Sequence, residues 1–323
     1  PFPYNPSEID YLLVTHAHTD HIGRIPKLVH DGFNGKILST PATKDLSRVM
    51  LEDTANILSN SESGKQYDLE NIYSERIVHH TFSLWDTVEL HKNHELGKGF
   101  SFYLKDAGHI LGSSMFEISY NGKKIVFTGD LGNSPSPLLR DTEFIENADY
   151  VVMESVYGNR NHEERSERRE NLKKIILENY KNKGTLVVPI FSLERTQEFL
   201  YEINEMVEAG EVPSHPIFVD SPLAIKVTEV FYRHKNLFKD SVLQDISSGD
   251  DIFKFKGLKE TEKTQDSKAI LDAKDPKIIM AGSGMSAGGR VLHHEKHYLG
   301  DPNATILITG FQTPGTPGRL LLD

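Results

Sequence analysis

The segment over residues 15–23 concentrates histidine and aspartate in a way that suits metal chemistry. It reads Thr-His-Ala-His-Thr-Asp-His-Ile-Gly and follows directly on a short apolar run over residues 11–14, which predicts a buried strand. Its candidate ligands are His16, His18, Asp20 and His21. Imidazole and carboxylate groups need polar partners when they are buried, and they supply the nitrogen and oxygen donors that Zn²⁺ prefers. The alternative is a solvated loop with chance histidines, and we favour the metal site.

Two later turns add one candidate ligand each. His109 lies between glycines in Asp106-Ala-Gly-His-Ile-Leu-Gly-Ser113, where the backbone can approach another group closely. Asp130 lies in the run Val126-Phe-Thr-Gly-Asp-Leu131, at the carboxyl end of a predicted strand. Taken alone, either residue is explained as a turn or capping residue. The three elements in this order are far more specific than any one of them.

The elements around these motifs change character near Gly158. Before it, strands are predicted over 36–39, 100–104, 114–120, 124–128 and 150–153, with an Asn-Gly hairpin turn at 121–122 and a helix over 42–58. The run at 150–153 is interpreted as a buried strand. After it, strands over 185–190, 217–219, 278–281 and 305–309 alternate with helices over 194–207, 223–231 and up to residue 298. This alternation predicts a parallel sheet with helices on its faces.

Three further features of the second half are interpreted from charge and spacing. The charged stretch over 160–180 carries an apolar stripe at helical spacing and is interpreted as a helix with a solvated face. Residues 240–274 are polar and weakly patterned, and they are interpreted as an excursion or lid. The histidines at 293, 294 and 297 are expected on a partly exposed helical face.

Length and composition limit the kind of protein. A chain of 323 residues predicts two domains, and we place them at 1–158 and 159–323. No apolar run approaches the roughly 20 residues of a membrane span, and no secretory signal is visible. The absence of cysteine excludes disulfides, thiolate metal sites and cysteine nucleophiles, and it fits the cytoplasm. The formal charge of −11 argues mildly against a purely electrostatic nucleic-acid binder, although bound cations can offset it locally.

The three ligand motifs together resemble the metallo-β-lactamase superfamily in residue type and order. The resemblance implies an α/β fold of the αββα sandwich type with a two-zinc site at one edge. It assigns His16, His18 and His109 to one zinc ion and Asp20 and His21 to the other, with Asp130 bridging both.

Four later segments resemble the β-CASP nucleases of that superfamily, which act on RNA. These are Met153-Glu-Ser-Val-Tyr-Gly-Asn159, Val187-Val-Pro-Ile-Phe-Ser-Leu-Glu-Arg-Thr-Gln-Glu198, Met280-Ala-Gly-Ser-Gly-Met-Ser-Ala-Gly-Gly-Arg290 and Gly310-Phe-Gln-Thr-Pro-Gly-Thr-Pro-Gly-Arg319. The family has an acidic residue where Glu154 stands. The resemblance implies that residues 159–323 form an inserted β-CASP α/β domain with a mainly parallel sheet.

Some motifs of the family are not found in this chain. An early aspartate motif should precede residue 1, and two later histidines, one of which completes the second zinc site, should follow residue 323. We therefore interpret the chain as a fragment that contains a partial sandwich. Its second zinc site is expected to be short of one ligand, so that the chain as it stands need not be active.

The glycine-rich turns predict contacts with phosphate. Free backbone N–H groups that meet a helix N-terminus bind phosphate, and arginine adds charge-assisted contacts. We therefore expect substrate phosphate at Ser192, Arg195, Ser283, Gly284 and Arg290. The alternative is that these glycines only permit tight packing of strand against helix.

The favoured function is zinc-dependent hydrolysis of RNA phosphodiester bonds, with Asp20, Asp130 and Glu154 as catalytic residues. RNA is the expected partner, and a homodimer is possible. One alternative is a hydrolase of the same fold acting on a small ester or phosphodiester. The other is a non-catalytic subunit that binds RNA or a protein partner.

Overall fold

The structure is a computed structural model that describes residues 1–67, 69–159 and 167–323. Residues 160–166 of the predicted charged helix lie outside the described residues. The chain divides into two compact units, one of residues 1–156 and 233–239 and the other of residues 157–232 and 240–323. In the described part of the chain, no helix combines the length and the apolar composition needed to cross a bilayer.

The first unit contains two sheets and a group of helices. The parallel sheet consists of β1 (Tyr11–Leu13), β2 (Lys36–Ser39) and β3 (Trp85–Thr87). The mixed sheet consists, in spatial order, of β4 (Asn93–Gly97), β5 (Phe100–Asp106), β6 (Ser114–Tyr120), β7 (Lys123–Phe127) and β8 (Tyr150–Val152). The helices are α1 (Thr19–Ile22), α2 (Ile25–His30), α3 (Pro41–Ser59), α4 (Glu62–Gln66), α5 (Leu69–Ile72) and α6 (Glu75–Ser83).

Alternation along the strands of the parallel sheet explains the layers of this unit. In β2, Ile37 packs into the helical layer with Phe82 and Trp85, whereas Leu38 packs against Phe102 and other residues of the mixed sheet. Successive side chains of a strand point to opposite faces, so the position of a residue along the strand decides which layer it packs into. The result is a helix layer, a parallel sheet and a mixed sheet, as the partial sandwich predicts.

Local signals in the sequence set the boundaries of several elements. The Thr40 side chain accepts a hydrogen bond from the Thr43 amide, and Pro41 follows it as the first residue of α3, a favourable start for a helix. The Asn121–Gly122 pair has positive φ at both residues and joins the antiparallel strands β6 and β7, as the hairpin signal predicts.

The prediction of a buried strand over 150–153 is wrong in its burial. The strand forms as β8, but Tyr150, Val151 and Val152 are 62%, 54% and 52% exposed. The reason is its position, because β8 lies at the edge of the mixed sheet and pairs, among the described residues, only with β7. An apolar run identifies a strand without showing which of its faces is covered.

The second unit is a parallel α/β fold. Its sheet has the order β11-β10-β12-β9-β13, and every pairing in it is parallel, which confirms the predicted α/β class. The strands are β9 (Thr185–Pro189), β10 (Ile217–Asp220), β11 (Leu258–Glu260), β12 (Lys277–Ala281) and β13 (Thr305–Ile306). The helices are α7 (Arg168–Asn182), α8 (Arg195–Glu208), α9 (Pro222–Arg233), α10 (Asp240–Ser248), α11 (Thr264–Ala269), α12 (Val291–Tyr298) and α13 (Pro317–Leu322).

Two predictions for this unit need correction. The polar stretch over 240–274, interpreted as an excursion or lid, contributes a strand to the sheet, because it contains β11, which pairs with β10 at the sheet edge. Edge strands are short and polar, so a hydrophobic pattern does not reveal them. His294 is 2% exposed rather than part of an exposed face, because its ring is hydrogen bonded to the buried Asp220.

Residues 233–239 belong to the first unit although both flanking segments belong to the second. His234 Nε2 lies 2.8 Å from a carboxylate oxygen of Asp45. Phe238 is fully buried and pairs with Leu139. The sequence contains no signal that identified this segment in advance.

Candidate metal centre

The loop after β1 places its ligands by a change from strand to helix. The Val14 amide still donates to the Leu38 carbonyl of β2, so the loop leaves the sheet only afterwards. His16 follows and is fully buried. His18 is the N-cap of α1, so that Asp20 and His21 fall on the first turn of this helix. The strand-to-helix change therefore divides the ligands into a buried set and a more exposed set.

The glycines of the two later motifs allow their loops to approach the site. Gly108 has a φ of +60°, and a Cβ atom there would lie 2.7 Å from the Thr142 amide nitrogen. Gly129 has a φ of +57°, and a Cβ atom there would lie 2.6 Å from the Thr15 hydroxyl oxygen. Neither position tolerates a side chain, and each brings its following ligand, His109 or Asp130, to the histidine loop.

The first group of ligands is compact. One ligand atom from each of four residues lies within 4.8 Å of the others, and the four residues are His16, His18, His109 and Asp130. The ring nitrogens His18 Nδ1 and His109 Nε2 are 3.1 Å apart. Asp130 Oδ2 is 3.7 Å from Nε2 of His16 and 3.7 Å from Nε2 of His109.

A second group of ligands lies on the other side of Asp130. Its Oδ1 atom is 3.3 Å from His21 Nε2, and that nitrogen is 3.6 Å from Asp20 Oδ2. The two oxygens of Asp130 therefore face different sets of ligands. A carboxylate in this arrangement can bridge two cations.

The protonation of the first group favours metal binding. Burial, with further contributions from the neighbouring imidazoles, lowers the pKa of His16 to about 2. Burial and the adjacent His109 lower the pKa of His18 to about 4. Both rings are therefore neutral at physiological pH, the form in which histidine binds metal.

The hydrogen bond between His21 and Asp130 affects both groups. It raises the pKa of His21 above its ordinary value, and it holds the pKa of Asp130 at about 2. A cation bound here would compete with the proton for His21.

The donor set fits divalent metal, and zinc in particular. His16 Nε2 is buried and, among the described residues, has no hydrogen-bond partner. A buried nitrogen without a partner costs free energy, and a metal ion between His16, His18 and His109 would remove that cost. Histidine-rich sets with carboxylate suit Zn²⁺ better than the harder cations.

Glu154 lies beside this site and acts on the loop that carries Asp130. Its Oε1 atom accepts a hydrogen bond from the Leu131 amide at 2.9 Å. Glu154, Asp130 and His21 also line one open cleft of about 600 Å³, together with Thr15 and apolar residues of both sheets. The candidate ligands His21 and Asp130 are therefore open to solvent through this cleft.

The predicted phosphate-binding residues lie in the second unit, at the carboxyl ends of β9 and β12. Ser192 Oγ is 3.1 Å from Ser221 Oγ, and a Cβ atom on Gly282 would lie 3.6 Å from Ser192 Oγ. Ser283 follows Gly282, and Gly284 packs against the Phe191 ring, where a Cβ atom would lie 2.6 Å from a ring carbon. These residues therefore lie close together at the carboxyl ends of neighbouring strands.

The two predicted arginines already have carboxylate partners. Arg195 donates to Glu198 at 2.9 Å, and Arg290 donates to Asp220 at 2.8 Å. Sequence reasoning missed Asp220, and its position at a strand end beside Ser221 was the only signal for it.

Comparison with known proteins covers both units. The model of the metallo-beta-lactamase superfamily matches residues 3–181, and the model of the Beta-Casp domain matches residues 196–321. The chain is 34% identical over 322 residues to Ribonuclease TTHA0252 of Thermus thermophilus, covering 100% of the chain and 72% of that relative. It is 31% identical over 317 residues to the RNase J-like protein of Methanocaldococcus jannaschii, covering 97% of the chain and 69% of that relative.

A eukaryotic relative is longer. The chain is 29% identical over 328 residues to Endoribonuclease YSH1 of Kluyveromyces lactis, covering 98% of the chain but 42% of that relative. The resemblance predicted from the sequence is thereby confirmed. With its ligand motifs gathered at one site and matches to both of its halves, the chain belongs to the metallo-β-lactamase superfamily and, within it, to the proteins that carry a Beta-Casp domain.

Proposed function

We propose that this chain is the catalytic part of a zinc-dependent ribonuclease that hydrolyses RNA phosphodiester bonds in RNA processing or decay. The observation that carries the proposal is the placement of Asp130, whose two oxygens face the His16–His109 side and the His21 side separately. The relatives named as ribonucleases support RNA as the substrate. The ribonuclease activity is proposed for the whole protein to which this chain belongs.

His16, His18 and His109 would hold the first ion, Asp20 and His21 the second, and Asp130 would contact both. Two divalent ions so placed supply Lewis acidity toward an attacking water and toward the oxygens of the phosphate. The second group has fewer protein ligands than the first, so we expect it to bind its ion more weakly. The expected stoichiometry therefore lies between one and two zinc ions per chain.

Two carboxylates of the protein have further roles. One accepts a proton from the attacking water, and the other fixes the position of Asp130. The Asp20 side chain is 78% exposed and stands at the entrance of the second group, where it can accept a proton from the attacking water. Glu154 fixes the loop that follows Asp130 through the Leu131 amide. Asp130 thereby stays aligned with both groups of ligands during the reaction.

The second unit would hold the RNA backbone. We assign Ser192 and Ser283 to contacts with phosphate oxygens, because they lie together at the carboxyl ends of β9 and β12, whereas Gly284 is buried against the Phe191 ring. Arg195 and Arg290 contribute positive charge beside them. Crevices at the carboxyl ends of parallel strands are the usual binding sites of α/β sheets. A cytoplasmic location and a homodimer stay predictions.

The test combines metal content with RNA hydrolysis. We would measure zinc by plasma mass spectrometry and cleavage of RNA labelled at its 5′ end or internally. The variants are His16→Ala and Asp130→Ala, and His297→Ala on the exposed face of α12 is the matched control. Loss of zinc and of cleavage in the two site variants alone would support the proposal.

Two other outcomes would contradict it. Zinc binding with hydrolysis of bis(p-nitrophenyl) phosphate but not of RNA would indicate a hydrolase of small esters or phosphodiesters. RNA binding by a folded protein that takes up no transition metal would indicate a non-catalytic subunit.

A further inference from the structure

Asp220 is a buried carboxylate that the proposed mechanism does not use. It ends β10 and is fully inaccessible to solvent. Its two oxygens accept hydrogen bonds from Thr261 Oγ1 at 2.8 Å, Ser267 Oγ at 2.6 Å, Arg290 NH1 at 2.8 Å and His294 Nε2 at 2.7 Å. Burial alone would raise the pKa of Asp220, but these hydrogen bonds lower it to about 2. The group is therefore an ionised carboxylate in the interior of the second unit.

Two of the donors belong to the end of the glycine-rich turn. Arg290 closes the turn over residues 283–289, and His294 lies one helical turn further along α12. Arg290 also donates to the Thr261 carbonyl at 2.7 Å and to the Glu262 carbonyl at 2.6 Å. Asp220 thus fastens the turn and the start of α12 to the segment that follows β11.

The turn is closed on one side and open on the other. Gly318 donates to the Met285 carbonyl and Gln312 to the Gly284 carbonyl, so this side is covered by protein. On the other side, Ala287 and Gly289 are exposed, and a Cβ atom on Gly288 would meet no described atom within 4 Å. A backbone without a side chain on its open face allows close approach of a ligand.

The open side lies where the topology of the sheet favours binding. In the order β11-β10-β12-β9-β13, the chain leaves β9 toward β10 and leaves β12 toward β13. The two connections therefore depart in opposite directions from neighbouring strands, and such a switch point is where α/β sheets bind ligands. The turn after β12 lies at that switch point.

Stability alone does not explain an ionised network at this place. Replacing a buried ion pair by apolar side chains often leaves a protein equally stable or makes it more stable, whereas such a pair can fix one geometry. We propose that Asp220 is a positioning residue, which acts through Arg290 and His294 to hold the turn over residues 283–289 in the form that contacts the RNA backbone. The inference rests on the proposed function. Asp220 itself is too deeply buried to touch the substrate.

The first measurement is RNA affinity. Binding of a fluorescein-labelled, 2′-O-methylated RNA oligonucleotide, which resists cleavage, is followed by anisotropy for the wild type and for Asp220→Asn. The matched control is Asp275→Asn, which removes a carboxylate hydrogen bonded to Thr185 and close to Lys277, at the amino ends of β9 and β12 in the same sheet. We expect Asp220→Asn to weaken binding about tenfold, while Asp275→Asn binds like the wild type.

A double-mutant cycle separates positioning from a general loss of stability. Arg290→Lys keeps the charge but cannot reproduce the paired contacts of the guanidinium. If Asp220 acts through Arg290, the double variant binds RNA no more weakly than either single variant. Additive losses would overturn the inference, as would equal weakening by Asp220→Asn and Asp275→Asn.

The remaining outcomes are also decisive. If Asp220→Asn fails to fold, Arg290→Lys decides alone, and wild-type affinity in that variant contradicts the inference. A wild-type chain that binds the oligonucleotide but neither takes up zinc nor cleaves RNA would end the proposed function and leave the positioning role standing. A wild-type chain without affinity for the oligonucleotide would overturn the positioning role, whatever its metal content.

Discussion

Each unit of this molecule contains a buried cluster of histidine and aspartate at the end of a strand, and the two clusters are hydrogen bonded differently. In the first unit, His16 Nε2 has no hydrogen-bond partner among the described residues, and ring nitrogens of His18 and His109 lie 3.1 Å apart. In the second unit, both oxygens of Asp220 receive hydrogen bonds from neighbouring side chains. The same residue types therefore have different partners inside the protein.

The difference teaches how to distinguish a metal site from a structural network. In the first cluster, a buried imidazole nitrogen of His16 is left without a hydrogen bond among the described residues, and a cation between the rings would satisfy it. A carboxylate surrounded by guanidinium, imidazole and hydroxyl donors needs no further ligand. The balance of donors and acceptors, more than the residue types, indicates which cluster binds metal.

The largest effect is expected where a convergent imidazole is removed. Because His18→Ala deletes a direct ligand, we expect zinc affinity to fall by more than roughly 100-fold. Titration against a chromophoric chelator measures the zinc affinity. The control is His293→Ala, at an exposed position of α12. Unchanged zinc affinity in His18→Ala would remove the distinction between the clusters.

In the second cluster, loss of a hydrogen-bond donor should lower the free energy of unfolding and leave the zinc content unchanged. His294→Ala leaves the buried Asp220 carboxylate with fewer donors, which costs about 2–3 kcal/mol. Urea unfolding, with hydrogen exchange followed at β10 and α12, measures the loss, and His297→Ala is the matched control. A fall in zinc content with unchanged unfolding would contradict the assignment.

A smaller effect is expected at the contact that orients His16. The Thr15 hydroxyl lies 3.1 Å from His16 Nδ1, so that it fixes the ring and leaves Nε2 for the metal. Thr15→Val should weaken zinc binding about tenfold, whereas Thr15→Ser should retain the wild-type affinity. Equal affinities in all three proteins would show that packing alone orients the ring.

The smallest effect concerns Asp106, a carboxyl group that is partly buried with few donors. Burial raises its pKa to about 6 although the Gly108 amide donates to it, in contrast to Asp220. The folded protein therefore holds a proton that the unfolded chain has lost, and stability falls as pH rises from about 4 through 6. Asp106→Asn should raise the free energy of unfolding by about 1–2 kcal/mol above pH 7 and change little near pH 4.

Denaturant titrations of both proteins across this pH range provide the measurement. A gain in Asp106→Asn that is the same at all pH values would show that the carboxyl group keeps its ordinary pKa.

The sequence was sufficient to predict the candidate metal centre because its proposed ligands are close together in the chain or follow glycine turns. Four of the ligands lie between His16 and His21, and the other two follow Gly108 and Gly129. A short segment fixes much of its own geometry, and a glycine with positive φ shows where a loop must approach another. The α/β class and the parallel sheet were predictable for a similar reason, since alternation is a local pattern.

The Asp220 network was not predictable in this way. Its carboxylate and its partners Arg290 and His294 come together only because β12 lies beside β10 in the sheet, although β11 comes between them in the chain. Strand order depends on packing and not on local pattern. The exposure of β8 is a similar case, because a run of valines does not reveal whether its strand lies at an edge.

The segment over residues 233–239 has a consequence for how the protein is made. Phe238 completes the packing around Leu138 and Leu139 in the first unit, yet it is synthesised only after residues 157–232. Domains generally fold in order as they leave the ribosome, but here the first unit must wait for a part that arrives within the second. A nascent chain that pauses before residue 239 would therefore leave Leu138 and Leu139 without the cover that Phe238 provides in the finished unit.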